Sequence, residues 1–107
     1  MFATAYITFR FSLNLTNYET NIAAIDHNGY VKDDTFYLAN YTAGVRMIDI
    51  TNIANKTINE IGFFDTRPAN NLASFNGVWN VYPYFESGNI VISDIEGGLF
   101  IVRKSGT

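Results

Sequence analysis

Two stretches 54 residues apart constrain this chain more than any other feature: Gly44-Val45-Arg46-Met47-Ile48 and Gly98-Leu99-Phe100-Ile101-Val102. Each starts at a turn glycine and continues as a nearly unbroken apolar run. Successive side chains of a strand point to opposite faces, so a run without alternation needs cover on both faces. A surface hairpin sheet would alternate apolar and polar residues instead. The arrangement this favours is a sheet packed between sheets of its own kind, as in radially stacked blades. At about 1.5–3 kcal/mol per fully buried large apolar side chain, leaving one face wet would forfeit much of a net stability of about 5–15 kcal/mol.

The same offset aligns other segments. Phe36-Tyr37-Leu38-Ala39-Asn40 falls on Ile90-Val91-Ile92-Ser93-Asp94, and Ala24–Val31 falls on Val78–Phe85 without a gap. Identities are few (Ile7/Ile61, Phe9/Phe63, Asn17/Asn71, Tyr30/Tyr84, Gly44/Gly98), and the match lies in hydrophobic class and turn positions. Asp33-Asp34 and Ser87-Gly88-Asn89 read as hairpin turns, as do Thr42-Ala43-Gly44 and Glu96-Gly97-Gly98. No long segment fits a helical period.

The expected fold is therefore all-β: two β-propeller-type blades of antiparallel four-stranded sheet, the last lacking its outer strand. An outer strand near 6–11 and a loop at 12–21 come first, giving residues 1–22 to a preceding blade. A complete blade spans 23–65, with strands near 23–31, 35–41, 44–51 and 58–65. An incomplete terminal blade spans 66–107, with strands near 77–85, 89–95 and 98–103. Propellers usually close with about 4–8 blades, so the 107 residues are expected to be a fragment of a larger propeller, or a unit that closes by association, with 6–11 as one source of the missing strand. The rival is a seven-stranded immunoglobulin-like sandwich, which predicts no internal translation.

Composition narrows the function classes. With 48% hydrophobic and 16% charged residues, disorder is excluded. The absence of cysteine removes disulfide scaffolds and thiol chemistry. A net charge of -3 and a pI near 4.8 give no support for a nucleic-acid surface. No apolar run approaches the ~20 residues of a membrane helix, and no basic segment precedes the first apolar stretch as a signal peptide requires. The N-x-[ST] triplets at Asn14, Asn40 and Asn55 are attributed to the abundance of asparagine.

Gly44-Val45-Arg46-Met47-Ile48-Asp49-Ile50-Thr51 resembles the core of the LVIVD repeat, a β-propeller unit of bacterial and archaeal surface proteins. The wider context resembles the C-terminal region of the choice-of-anchor B family. The stretches that carry this are Asp26–Val31, Leu38–Gly44, Gly62–Thr66, Phe75–Trp79, Tyr82–Gly88 and Gly98–Val102, together covering most of residues 24–103. The resemblance implies a propeller fold and an exported protein held at the cell surface by one of several interchangeable C-terminal sorting tails. No such tail follows Lys104-Ser105-Gly106-Thr107, which the expectation of a fragment accommodates. Arg103 stands where the first unit has Asp49, so that aspartate is not expected to act as a general ligand.

Candidate site residues are few. His27, the sole histidine, is flanked by Asp26 and Asn28; a zinc or other transition-metal site would recruit these three. On a strand Asp26 and His27 point to opposite faces, and the preferred reading of His27 is a hydrogen-bonded group fixing an inner strand. Asp49, Asp65, Asp94 and Glu96 lie beside turns, where carboxylates either bind Ca²⁺ or accept backbone N–H bonds; the second is preferred. No nucleophile elbow is present, and no cofactor is assigned. Trp79, Tyr82, Tyr84 and Phe85 are expected mainly in the core, with Tyr82 as the exposed member. Trp79 and Tyr82, with Asn70 and Asn71 of the Arg67–Leu72 loop, are the candidate binding residues. The function expected is a non-catalytic, extracellular module that presents loops to a protein or glycan. The alternatives are a segment of a metal-dependent enzyme around His27 and a unit that self-associates through free strand edges.

Overall fold

The computed structural model describes residues 4–8, 14–19, 24–69 and 73–105. Nine strands follow in order: β1 (Thr4–Thr8), β2 (Asn14–Glu19), β3 (Asn28–Lys32), β4 (Thr35–Ala39), β5 (Val45–Asp49), β6 (Asn59–Phe64), β7 (Val78–Tyr82), β8 (Asn89–Asp94) and β9 (Gly98–Arg103). A 3₁₀ turn, Ile53–Asn55, lies between β5 and β6. The chain is all-β, with β1 and β2 paired, β3-β4-β5-β6 as a four-stranded sheet and β7-β8-β9 as a three-stranded one. Every ladder is antiparallel and every neighbour consecutive, the up-and-down order of propeller-type blades. Among the described residues no helix is long and apolar enough to cross a membrane.

Turn chemistry sets these boundaries. Lys32 pairs with Thr35 across Asp33-Asp34, and Asp33 takes φ 52°, a left-handed conformation that aspartate tolerates better than most residues. Gly44 takes φ 79°, and a Cβ there would lie 2.2 Å from the carbonyl oxygen of Phe64. Only glycine lets β5 start so close to the end of β6.

The two larger sheets share one register over their second and third strands. Thr35 pairs with Asp49 and Ala39 with Val45; 54 residues on, Asn89 pairs with Arg103 and Ser93 with Leu99. The first strands depart from that offset. Asn28 and Tyr30 face Ala39 and Tyr37, whereas Asn80 and Tyr82 face Ser93 and Val91. The counterpart of Tyr30 is thus Tyr82, not Tyr84, and the gapless alignment of 24–31 with 78–85 is corrected. The hairpin that follows β7 is longer than the one that follows β3 and moves that strand in sequence.

The sheets pack face to face, with β7 against β3 and β4. Tyr37, Ala39 and Val45 of the first sheet meet Val78, Val81, Ile90 and Ile92 of the second, flanked by Met47, Phe64, Phe100 and Val102. On its other face the first sheet buries Leu38 and Ile48, with Phe36, Ile50 and Ile58 packed against them. Arg46 is buried there too; its Nε donates to the carbonyl oxygen of Ala43 at 2.8 Å, and its guanidinium lies 4.7 Å from the Phe63 ring centre and 3.5 Å from Glu60 Oε1.

Cover on both faces therefore holds for β5 and fails for β9. Leu99 is 66% exposed and Ile101 62%, because among the described residues the second sheet has a neighbouring layer on one face only. Two further expectations change. The loop expected at 12–21 contains β2, and the outer strand expected near 6–11 is β1, paired with β2. Residues 9–13 lie outside the described residues.

Candidate functional site

Where β4 ends and β7 begins, the backbone ties the two sheets together. Tyr41 and Val78 form an antiparallel bridge, Tyr41 N donating to Val78 O at 3.1 Å and Val78 N to Tyr41 O at 2.9 Å. Tyr41 holds φ 43°, which β-carbon sterics disfavour in a non-glycine residue. Gly77 beside it takes φ 99°, and a Cβ there would stand 2.4 Å from the Tyr41 oxygen.

His27 reaches this junction just before β3. Its backbone N–H donates to Ala39 O. The Tyr41 hydroxyl and His27 Nδ1 share a hydrogen bond of 2.9 Å. The imidazole lies 4.2 Å from the Trp79 ring centre and 4.9 Å from that of Tyr41, while Phe75 meets Tyr41 edge-on at 5.6 Å. The buried Tyr41 is thus clasped by one ring from the first sheet's lead-in and two from around β7. The hydrogen bond and the rings hold His27 against the bridge between the sheets.

Asp26 and Asn28 flank it differently from the strand expectation. β3 begins at Asn28, so alternation does not separate Asp26 from His27. The Asn28 Oδ1 is buried without a hydrogen-bond partner. Among the described residues no three His, Cys, Asp or Glu side chains are grouped to hold a metal ion. Asn40 has both polar side-chain atoms buried and unpartnered, and its full burial leaves its N-x-[ST] triplet inaccessible in the folded chain; Asn55 is exposed.

The turn carboxylates accept backbone N–H groups. Asp94 Oδ1 takes those of Gly97 at 2.8 Å and Glu96 at 3.1 Å, and its Oδ2 takes the Thr66 hydroxyl. Asp65 Oδ1 takes Arg67 N at 2.8 Å. Asp49 Oδ1 takes the hydroxyl of Thr51 at 2.5 Å and its N–H at 2.9 Å; these two bonds, with the Lys104 charge, hold its carboxyl below the usual range. Glu96 instead pairs with Arg67 at 3.0 Å.

The aromatic group around β7 corrects the core expectation. Trp79, Tyr82, Tyr84 and Phe85 are all 41–48% exposed, and only Pro83 among them is fully buried. Tyr82 meets Tyr84 at 5.3 Å and Phe85 at 5.1 Å, both edge-on, and Tyr84 meets Tyr30 at 6.1 Å. The Tyr84 hydroxyl donates to Val31 O at 2.5 Å, so the patch is anchored to both sheets. The candidates Asn70 and Asn71 lie outside the described residues. Sequence reasoning missed Tyr41 and Phe75; the glycine two residues before Trp79 was the available signal of a close backbone approach.

No protein-family profile matches the sequence, and neither a curated protein nor a solved structure matches the chain.

Proposed function

We propose that the chain is a non-catalytic interaction module, two propeller-type blades that offer a fixed aromatic surface to a protein or glycan. One observation carries this reading: Tyr82, Tyr84 and Phe85 stand together, half exposed, on a buried proline and a cross-sheet hydrogen bond. Exposed rings held in place lose little side-chain entropy on binding and stack on sugar faces or fill pockets of a partner. Resemblance to the LVIVD repeat and the choice-of-anchor B family supports the same reading and adds an extracellular or cell-surface location. In that setting the chain is part of a larger propeller.

The test is a titration of the ¹⁵N-labelled chain with oligosaccharides and peptides. Binding shifts the amides of 79–85 first, and Tyr82→Ala weakens it by about ten-fold or more with an unchanged melting temperature. Shifts confined to other surfaces would overturn the reading. So would metal-dependent turnover that His27→Ala abolishes without unfolding the protein.

A further inference from the structure

The outer edges of the two sheets lie together. β6 ends the first sheet and β9 ends the second, and among the described residues neither has a strand on its other side. Phe64 of β6 meets Phe100 of β9 at 5.8 Å, while β3 lies over β7 at the opposite margin. Between β6 and β9 opens a cavity of ≈ 300 Å³, lined by Met47, Phe64, Ile92 and Val102 and rimmed by Ile61 and Arg103. The antiparallel bridge from the end of β4 to β7 makes β7 run with β3, so β9 runs with β5 and opposite to β6.

We infer that this margin is the contact surface for a second copy of the chain. A two-fold axis parallel to the strands and midway between the sheets brings β6 of each copy beside β9 of the other, antiparallel, at both places at once. Each first sheet then continues as β3-β4-β5-β6 into the partner's β9-β8-β7, a ladder of seven strands, and each cavity mouth is closed. Such a contact is self-complementary and closed, as a two-fold dimer requires, and it satisfies the unpaired edge groups that otherwise template open association.

Charge agrees with this choice of occupant. β6 carries Glu60 and is followed by Asp65, whereas β9 ends in Arg103 and is followed by Lys104. The axis keeps inward-facing side chains inward, so the partner subunit's Phe64 comes opposite Phe100, both on the inter-sheet core, and the partner subunit's Glu60, which lies on the outward face with Ile48 and Arg46, comes beside Arg103. Arg103 and Glu60 of the partner subunit then share the outward face, an opposite-charge contact. A β9–β9 contact would set two basic ends on one interface. The inference uses the strand margin, not the Tyr82 surface, and stands apart from the binding reading.

Sedimentation over a concentration series, with amide hydrogen exchange at each point, tests it. The expected species is twice the 12.0 kDa chain mass, with β6 and β9 amides gaining protection as concentration rises and β3 and β7 amides unchanged. Arg103→Glu, checked by circular dichroism for an intact fold, raises the dissociation constant by about three- to ten-fold. A monomer at millimolar concentration, concentration-dependent protection at β3 or β7, or an Arg103→Glu dissociation constant equal to that of the parent chain would each overturn it.

Discussion

A methyl group at Gly77 would sit 2.4 Å from the Tyr41 oxygen, on a backbone at φ 99°. At Gly88, φ is 81° but nothing lies within 4 Å. The pair separates backbone strain from steric collision. Gly88→Ala is expected to cost about 1–2 kcal/mol, the left-handed penalty alone, and Gly77→Ala clearly more, because the clash falls on the bridge that joins the sheets; urea unfolding of both measures it. Tyr37 gives a pH signature. Burial, with the Asp33 carboxylate second, raises its hydroxyl above the usual tyrosine value. A folded-state pKa above the unfolded one favours the protonated form, so this contribution is whole below about pH 10 and is lost as pH rises through the folded value. Ultraviolet titration of the parent chain against Tyr37→Phe is expected to lose a step above the usual tyrosine range, together with part of the loss of stability above pH ~10.

β8 and β9 carry isoleucines in opposite circumstances. Ile92 of β8 is fully buried in the inter-sheet core, while Ile101 of β9 is on the open face. Ile92→Ala is expected to destabilise by about 2–5 kcal/mol and Ile101→Ala by about 0.5 kcal/mol or less, by chemical denaturation. Equal losses would mean that the face of β9 is covered in solution. The contrast also marks what a sequence carries. Every strand from β3 to β9 was legible, since runs of Val, Ile, Phe and Tyr between Gly, Asn and Asp turns encode strands locally. β2 was not: Asn14-Leu15-Thr16-Asn17-Tyr18-Glu19 contains two asparagines, and its pairing with β1 supplies what its propensity lacks. The true register of β7 was hidden as well, because the first hairpins differ in length while the hydrophobic pattern matches at either offset.

Among the described residues the second sheet leaves one apolar face open. Tyr82, Val91 and Ile101 line up across the three strands of the second sheet, with Leu99 beside them. A contiguous exposed apolar patch marks an interaction surface or an aggregation liability. Replacing Leu99 and Ile101 together by lysine is expected to lower binding of a hydrophobic dye and raise solubility, with the unfolding midpoint changed little; a large drop in that midpoint would show the face to be packed. Turn glycines, strand periods and the unbroken third-strand runs made the all-β class and the two-sheet division readable from the chain alone, because those signals depend on neighbours a few residues away. Which face of each run is covered, the clasp of His27 and Trp79 around Tyr41, and the meeting of β6 with β9 were decided in three dimensions. They depend on contacts between residues tens of positions apart, and a local pattern says that a face is apolar without saying what comes to lie on it.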